Sequence, residues 1–96
     1  MKIIFLIGPF RALTAFEIER HCWSVEAVAL EVWKLGAVAL SPQLNSRHFH
    51  GAMPDEIFLD GYLEVLGRCD AALLLDGWQA SQGSLAELEQ AKRQDF

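Results

Sequence analysis

The chain has 96 residues, enough for one domain with one hydrophobic core, and we treat residues 1–96 as a single domain. Its formal net charge is −5 and it has no basic run, which argues against a nucleic acid polymer as a partner. The apolar stretch after Lys2 ends at Gly8-Pro9 after five residues, too few for a signal peptide or a membrane span. We therefore expect a cytoplasmic protein without a membrane partner.

Hydrophobic residues make up 52% of the chain, more than so small a domain can bury. This excess predicts a homo-oligomer, a dimer or larger, and a tightly packed monomer is the alternative. Cys22 and Cys69 are too few for a disulfide framework and lack the spacing of a metal site, so we expect two buried free thiols.

The first two elements are a strand and a helix. Residues 3–7, Ile-Ile-Phe-Leu-Ile, are a continuous apolar run typical of a strand that is buried on both faces. Thr14 and Glu17 form a T-x-x-E capping box at the start of a helix. Gly36 is a typical C-terminal stop for this helix.

The second half of the chain continues the alternation of strand and helix. A second strand is predicted over 37–40, and residues 43–52 lack periodicity, which predicts a long loop suited to function. The pattern then predicts a helix over 54–68 and a third strand over 71–75, buried like the first. A final helix is predicted from about Ser84 to the chain end.

The element order β-α-β-α-β-α predicts an α/β fold, a small three-layer Rossmann or flavodoxin-like domain with a parallel sheet. We predict the strand order 2-1-3, with the first strand in the centre. Ligands of such sheets bind beyond the carboxyl ends of the strands, where the strand order reverses. The loops at that point are residues 8–14 and 76–84, so we expect a ligand site between them.

The loop after the first strand provides four candidate ligand-binding residues: Gly8, Pro9, Phe10 and Arg11. Gly8 permits a sharp turn and the close approach of a ligand, and Arg11 can hold a phosphate or carboxylate. A plain turn with a solvated arginine is the alternative. Neither the G-x-G-x-x-G fingerprint nor a P-loop is present, and we expect no cofactor.

The loop after the third strand leads into the last helix. Ser81, Gly83 and Ser84 are small and leave room beside a helix N-terminus, whose free N–H groups suit anionic or hydroxyl-rich ligands. Glu87 lies one turn further on. Its carboxylate can act as a nucleophile at a sugar carbon, or it can cap the helix in an S-x-x-E box with Ser84.

Polar residues of the long loop are further candidates. Asn45 and Arg47 can contact a ligand or cover the site, and solvated side chains are the alternative. His48 and His50 form an H-x-H motif, but no third ligand is evident, so we predict no metal site.

Three segments carry a resemblance to a known family: I-G-P-F-R at 7–11, S-P-Q-L-N-S-R at 41–47, and the series C-D-A, G-W, S-Q-G-S and Glu from 69 to 87. In this order, over nearly the whole chain, they resemble the nucleoside 2-deoxyribosyltransferase-like superfamily. The chain is most similar there to a branch of short bacterial and phage proteins of unassigned function.

The resemblance implies that Glu87 attacks the anomeric carbon of a nucleoside or nucleotide and displaces the base. It implies further that Arg11 lies near a 5′-phosphate, and that Asp76 and Ser81 approach the sugar and base. The family's aspartate that assists base departure falls near Tyr62 on the second helix, with Asp60 close by. These two are the candidate helpers of Glu87, and either can instead be a surface or core residue.

Departures from the family pattern leave three functions open. Where some relatives have acidic residues this chain has Tyr62 and Ser81, and the loss of acid–base help is typically worth about 10²–10⁴ in rate. We therefore expect an N-glycosidase or deoxyribosyltransferase-like enzyme. The alternatives are a nucleotide-binding module without turnover and a structural oligomer. Relatives continue into a further strand, so we also expect an exposed sheet edge that favours oligomerisation.

Overall fold

Three parallel strands form the sheet, and residues 1–94 are described in this computed structural model. The strands are β1 (Ile3–Ile7), β2 (Val38–Leu40) and β3 (Ala71–Leu74). Their order is β2-β1-β3, so the predicted order 2-1-3 is confirmed. In the register of the sheet, Phe5 of the central strand lies between Leu40 and Ala72.

Helices cover both faces of this sheet. They are α1 (Ala15–Lys34), the short α2 (Pro42–Asn45), α3 (Asp55–Leu66) and α4 (Gln82–Arg93), and a 3-10 turn at Trp78–Ala80 precedes α4. α1 packs on one face, and α3 and α4 pack on the other. The predicted three-layer α/β fold is thus confirmed. No helix of residues 1–94 is long and apolar enough to span a membrane.

The core is centred on β1. Phe5, Leu6 and Ile7 are all fully buried. Phe5 and Ile7 point toward α3 and α4, where they pack with Leu66, while Leu6 points to the opposite face and packs with Val25 of α1. Successive side chains of a strand point to opposite faces, and both faces of β1 are covered by helices. An apolar residue is therefore needed at every position of this strand.

Two segments differ from the sequence-based expectation. The predicted loop over 43–52 begins within α2, because Pro42 occupies a first-turn position and the Ser41 hydroxyl accepts a hydrogen bond from the Leu44 N–H at 3.3 Å. β3 is not buried like β1, since its Leu73 and Leu74 are each 41% exposed. The reason is that β3 forms an edge of the sheet and α1 packs over β1 and β2.

The beginning of α4 also differs. The Ser81 hydroxyl, not that of Ser84, caps the helix, and it accepts a hydrogen bond from the Ser84 N–H at 3.1 Å. The predicted S-x-x-E box of Ser84 and Glu87 is therefore wrong, because both residues already lie inside the helix. α4 ends at Arg93, and residues 95 and 96, which the prediction included, lie outside the described residues.

The start and stop of α1 are as predicted, but of the reciprocal T-x-x-E box only the bond to the Thr14 hydroxyl is found among residues 1–94. The Thr14 hydroxyl accepts a hydrogen bond from the Glu17 N–H at 3.2 Å, and Gly36 adopts a left-handed conformation with φ of 91°. Both cysteines are free thiols. Cys22 is buried, and Cys69 is half-buried. Burial raises the pKa of each thiol, which keeps them protonated.

Two glycines allow an opposed pair of stability measurements. A Cβ at Gly8 would lie 2.8 Å from Leu75 Cδ1 and 2.9 Å from Leu75 Cβ, so Gly8→Ala should destabilise the protein by about 1–3 kcal/mol. A Cβ at Gly61, inside α3, meets nothing within 4 Å, so Gly61→Ala should stabilise it by about 0.5–1 kcal/mol. Urea unfolding measures both. A Gly8→Ala protein as stable as the wild type would contradict the close packing at Leu75.

Candidate functional site

A cleft of about 930 Å³ opens beyond the carboxyl ends of β1 and β3. Its walls are the loop after β1, the α2 segment, the first half of α3 and the N-terminus of α4. Most of the predicted site residues line this one cleft: Gly8, Pro9, Phe10, Arg11, Tyr62, Ser81, Gly83, Ser84 and Glu87. A depression in the surface therefore lies where strand order predicts a ligand site, and the binding of a ligand there stays a prediction.

Three predicted site residues lie elsewhere. Asp60 is exposed on α3 and is not part of the cleft wall. Asp76 borders a different groove, between α1 and β3. Asn45 is exposed and does not line the cleft. Its side-chain N–H donates to the hydroxyl of Tyr62, a residue of the cleft wall, at 2.9 Å.

Glu87 is the buried acidic residue of the cleft. It is only 6% exposed, and within residues 1–94 its carboxyl group has no hydrogen-bond or ion-pair partner. Burial raises the pKa of Glu87 to about 8, since nothing nearby compensates the charge of the ionised form. The cleft thus holds a largely protonated carboxyl group near neutral pH, an unusual state associated with functional sites.

Ser84 reinforces this feature one turn earlier in the same helix. It is 1% exposed, and its Oγ is the buried side-chain atom that lacks a hydrogen-bond partner in the described part of the chain. Positions three apart share a helix face, so the hydroxyl of Ser84 and the carboxyl of Glu87 both belong to the cleft side of α4. A buried hydroxyl without a partner is costly, and a polar ligand would satisfy it.

Gln43 is a site residue that sequence reasoning missed. Its side chain is 2% exposed, and its Nε2 group donates to the Gly8 carbonyl at 2.8 Å and to the Pro9 carbonyl at 3.4 Å. Ser41 donates to the Gln43 Oε1 at 2.9 Å and fixes the amide. The Gly8-Pro9 turn is therefore held from the α2 segment, and the sequence carried no signal for this contact between distant positions.

His21 was also missed. Its Nδ1 lies 2.9 Å from the Phe10 carbonyl oxygen, and its side chain lines the cleft from α1. His50 packs its ring edge-to-face on Phe10, with centroids 6.1 Å apart. His48 instead lies 3.9 Å from Glu19, so the two histidines of the H-x-H motif have different surroundings.

Ion pairs determine which cationic residues can meet a ligand. Arg11 at the mouth of the cleft pairs with Asp55 Oδ2 at 2.6 Å. Arg47 pairs with Glu19 at 3.0 Å and also with Glu26. The hydrogen bonds of these carboxylates raise the pKa of Arg47, and Arg47 in turn lowers the pKa of Glu19. Arg47 thus anchors the loop to α1, and Arg11 is the arginine that lines the cleft.

Aromatic side chains provide the apolar part of the wall. They are Phe10, Phe49, Phe58 and Tyr62. The Tyr62 hydroxyl donates to the Ser46 Oγ at 2.9 Å, which connects α3 to the segment after α2. The cleft therefore combines aromatic surface, suited to stacking on a planar ligand, with buried polar groups on α4.

The raised pKa of Glu87 predicts pH-dependent stability. The unfolded chain has an ordinary glutamate pKa of 4.5, whereas the folded value is about 8, so the folded state binds more protons between these limits. The free energy of unfolding is therefore highest below pH 4.5. It falls as the pH rises from 4.5 through 8, by up to about 1.4 kcal/mol per pH unit.

Urea unfolding from pH 5 to pH 9 measures this dependence. Glu87→Gln cannot ionise and should remove most of the slope, so that its advantage over the wild type grows with pH. Glu89→Gln, at an exposed position of the same helix, is the matched control and should keep the slope. Equal slopes in the wild type and Glu87→Gln would show that Glu87 titrates normally in the folded protein.

The family described as Domain of unknown function (DUF4406) matches residues 12–96. This range includes α3, α4 and the polar cleft residues Ser84 and Glu87, and it begins just after Arg11. No curated protein and no solved structure gives a significant match to the chain. Because the match covers most of its length, the chain belongs to the DUF4406 family.

Proposed function

We propose that this protein binds a nucleoside or nucleotide in the cleft and cleaves its N-glycosidic bond, with Glu87 as the nucleophile. The observation that carries the proposal is the buried carboxyl group of Glu87 beside the buried hydroxyl of Ser84, neither of which has a partner among residues 1–94. The resemblance to the nucleoside 2-deoxyribosyltransferase-like superfamily assigns this role to the same glutamate. Its position inside α4, rather than in a capping box, leaves the carboxyl group free for it.

The cleft offers a partner for each part of such a ligand. Phe10 and Phe58 provide apolar surface for the base, and the N-terminus of α4 with Ser84 suits the sugar hydroxyls. Arg11 at the mouth suits a 5′-phosphate. A Cβ at Gly83 would contact only the Ser81 Oγ at 3.9 Å, so packing does not require this glycine, and it keeps the approach to α4 open.

The chemical step forms one bond and breaks another. The Glu87 carboxylate forms a bond to the anomeric carbon while the bond from that carbon to the base nitrogen breaks, and the base leaves with the electron pair and takes up a proton from water. Water or a second base then releases the sugar from Glu87. The carboxylate must be ionised, so kcat/KM should increase with pH up to about 8, the pKa that burial gives Glu87.

A second function is favoured by the position of the predicted acidic helper. Asp60 is exposed outside the cleft, and the Tyr62 hydroxyl is engaged with Asn45 and Ser46. Asp55 and Glu56 also line the cleft, but Asp55 is paired with Arg11. A cleft that lacks the expected helper of Glu87 would bind nucleotides and turn them over slowly. A nucleotide-binding module for sensing or sequestration is therefore the alternative.

Release of free base from nucleosides, deoxynucleosides and their 5′-monophosphates tests both functions. Chromatography should detect released base with the wild type and with Glu89→Gln, and Glu87→Gln should lower the rate by at least about a thousandfold. Cleavage that persists in Glu87→Gln would refute the nucleophile. Thermal stabilisation by nucleotides without any release of base would support the binding module instead.

The ion pair between Arg11 and Asp55 predicts how tightly the cleft binds a ligand with a phosphate group. Asp55→Asn frees Arg11 and removes a nearby negative charge, so nucleoside monophosphates should bind about three- to tenfold more tightly while the matching nucleosides bind as before. Calorimetry measures both affinities. Glu56→Gln, at the neighbouring carboxylate of the cleft wall, is the control. Equal tightening of nucleosides would contradict a phosphate contact at Arg11.

A further inference from the structure

His21 is a residue of the cleft wall with one ring nitrogen engaged and the other open. It lies in α1, is half-buried and lines the cleft next to the loop after β1. Its Nδ1 lies 2.9 Å from the Phe10 carbonyl oxygen. A carbonyl oxygen only accepts hydrogen bonds, so Nδ1 carries the proton of the neutral ring. Nε2 is then a hydrogen-bond acceptor, and it has no partner among residues 1–94.

Three other polar side chains that line the cleft away from α4 are engaged within the protein. The Gln43 amide donates to two backbone carbonyls and accepts from a serine hydroxyl. The Tyr62 hydroxyl donates to Ser46 and accepts from Asn45, and the Ser46 hydroxyl donates to a backbone carbonyl. These bonds hold the wall of the cleft together. His21 differs from all three, because its Nε2 can accept from a ligand without breaking a contact of the protein.

The contact between His21 and Phe10 brings this acceptor to the surface proposed for the base. The ring of Phe10 is part of the aromatic wall, and His50 packs edge-to-face on it with centroids 6.1 Å apart. A base that stacks on an aromatic ring uses its face and keeps the polar groups of its edge free. A base stacked on Phe10 would therefore present an edge close to the His21 ring.

We propose that Nε2 of His21 accepts a hydrogen bond from the exocyclic amino group of the base, so that the cleft prefers adenine and cytosine to hypoxanthine and uracil. This inference rests on the proposed function only in that a nucleobase occupies the cleft. Adenine and cytosine have an amino donor where hypoxanthine and uracil have a carbonyl oxygen. Two acceptors form no hydrogen bond, so an oxo base would leave Nε2 of His21 unpaired.

Two pairs of nucleotides that exchange this amino group for an oxygen test the preference. The Glu87→Gln protein serves as the parent in calorimetry, so that no ligand is consumed during the measurement. It should bind adenosine monophosphate at least about tenfold more tightly than inosine monophosphate. Cytidine monophosphate should exceed uridine monophosphate by a similar factor.

Substitutions of His21 separate the ligand contact from the contact with Phe10. In His21→Asn the amide nitrogen takes the place of Nδ1 and keeps the bond to the Phe10 carbonyl, while Nε2 is lost. The preference should then fall below about twofold, with little change in melting temperature. In His21→Gln the amide lies near the Nε2 position and can rotate to accept or donate, so both members of each pair should bind alike.

His48→Asn is the matched control. His48 is exposed and does not line the cleft, and its backbone φ of 72° suits asparagine. This variant should keep the preference of the parent. Equal binding of amino and oxo nucleotides by the parent, or a preference that survives in His21→Asn, would overturn the role of His21.

Failure of this inference is distinguishable from failure of the proposed function. A preference in binding without any release of base by the wild type would support His21 and refute Glu87 as a nucleophile. Release of base with equal binding of amino and oxo nucleotides would refute His21 alone. A protein that binds none of the four nucleotides would refute both.

Discussion

Burial of β1 on both faces is the constraint on which the other elements depend. Phe5 and Ile7 require the layer formed by α3 and α4, while Leu6 requires α1 on the other side of the sheet. β2 and β3 flank β1, so its backbone is paired on both sides while the helices cover both of its faces. The end of β1 then lies between two neighbouring loops, and the cleft forms where they separate.

The contacts at the end of β1 make this cleft a defined site. Gln43 holds the carbonyls of Gly8 and Pro9, and Gly8 packs against Leu75 without room for a side chain. The absence of a Cβ at Gly8 therefore serves the packing of the protein itself, whereas the sequence suggested that it serves the ligand. A turn fixed in this way presents Phe10 and Arg11 to the cleft in one arrangement, which would lower the entropic cost of binding the proposed ligand.

Glu87 links the fold to the proposed chemistry. Because Ser81 caps α4, both Ser84 and Glu87 lie inside the helix with their polar groups buried, and neither has a partner in the described part of the chain. The fold tolerates the carboxyl group by keeping it protonated, as its raised pKa indicates. A nucleophile needs the opposite state, so a ligand that donates hydrogen bonds to Glu87 would favour ionisation as it binds. The protonation state of Glu87 thus affects both the stability of the fold and the proposed reaction.

The sequence by itself determined the three strands and the long helices, because apolar periodicity is a local signal. The strand order was predicted from the alternation of these elements and the general rules for parallel sheets. The sequence also determined the place of the cleft, which follows from strand order. Only the tertiary structure decided that Asp60 points away from the cleft, that β3 stays half-exposed, and that Ser81 rather than Ser84 caps α4. Gln43 belongs to the same group, since its partners lie far away along the chain. These features depend on which atoms come into contact once the helices pack on the sheet. The order of neighbouring residues in the sequence does not specify contacts between distant positions.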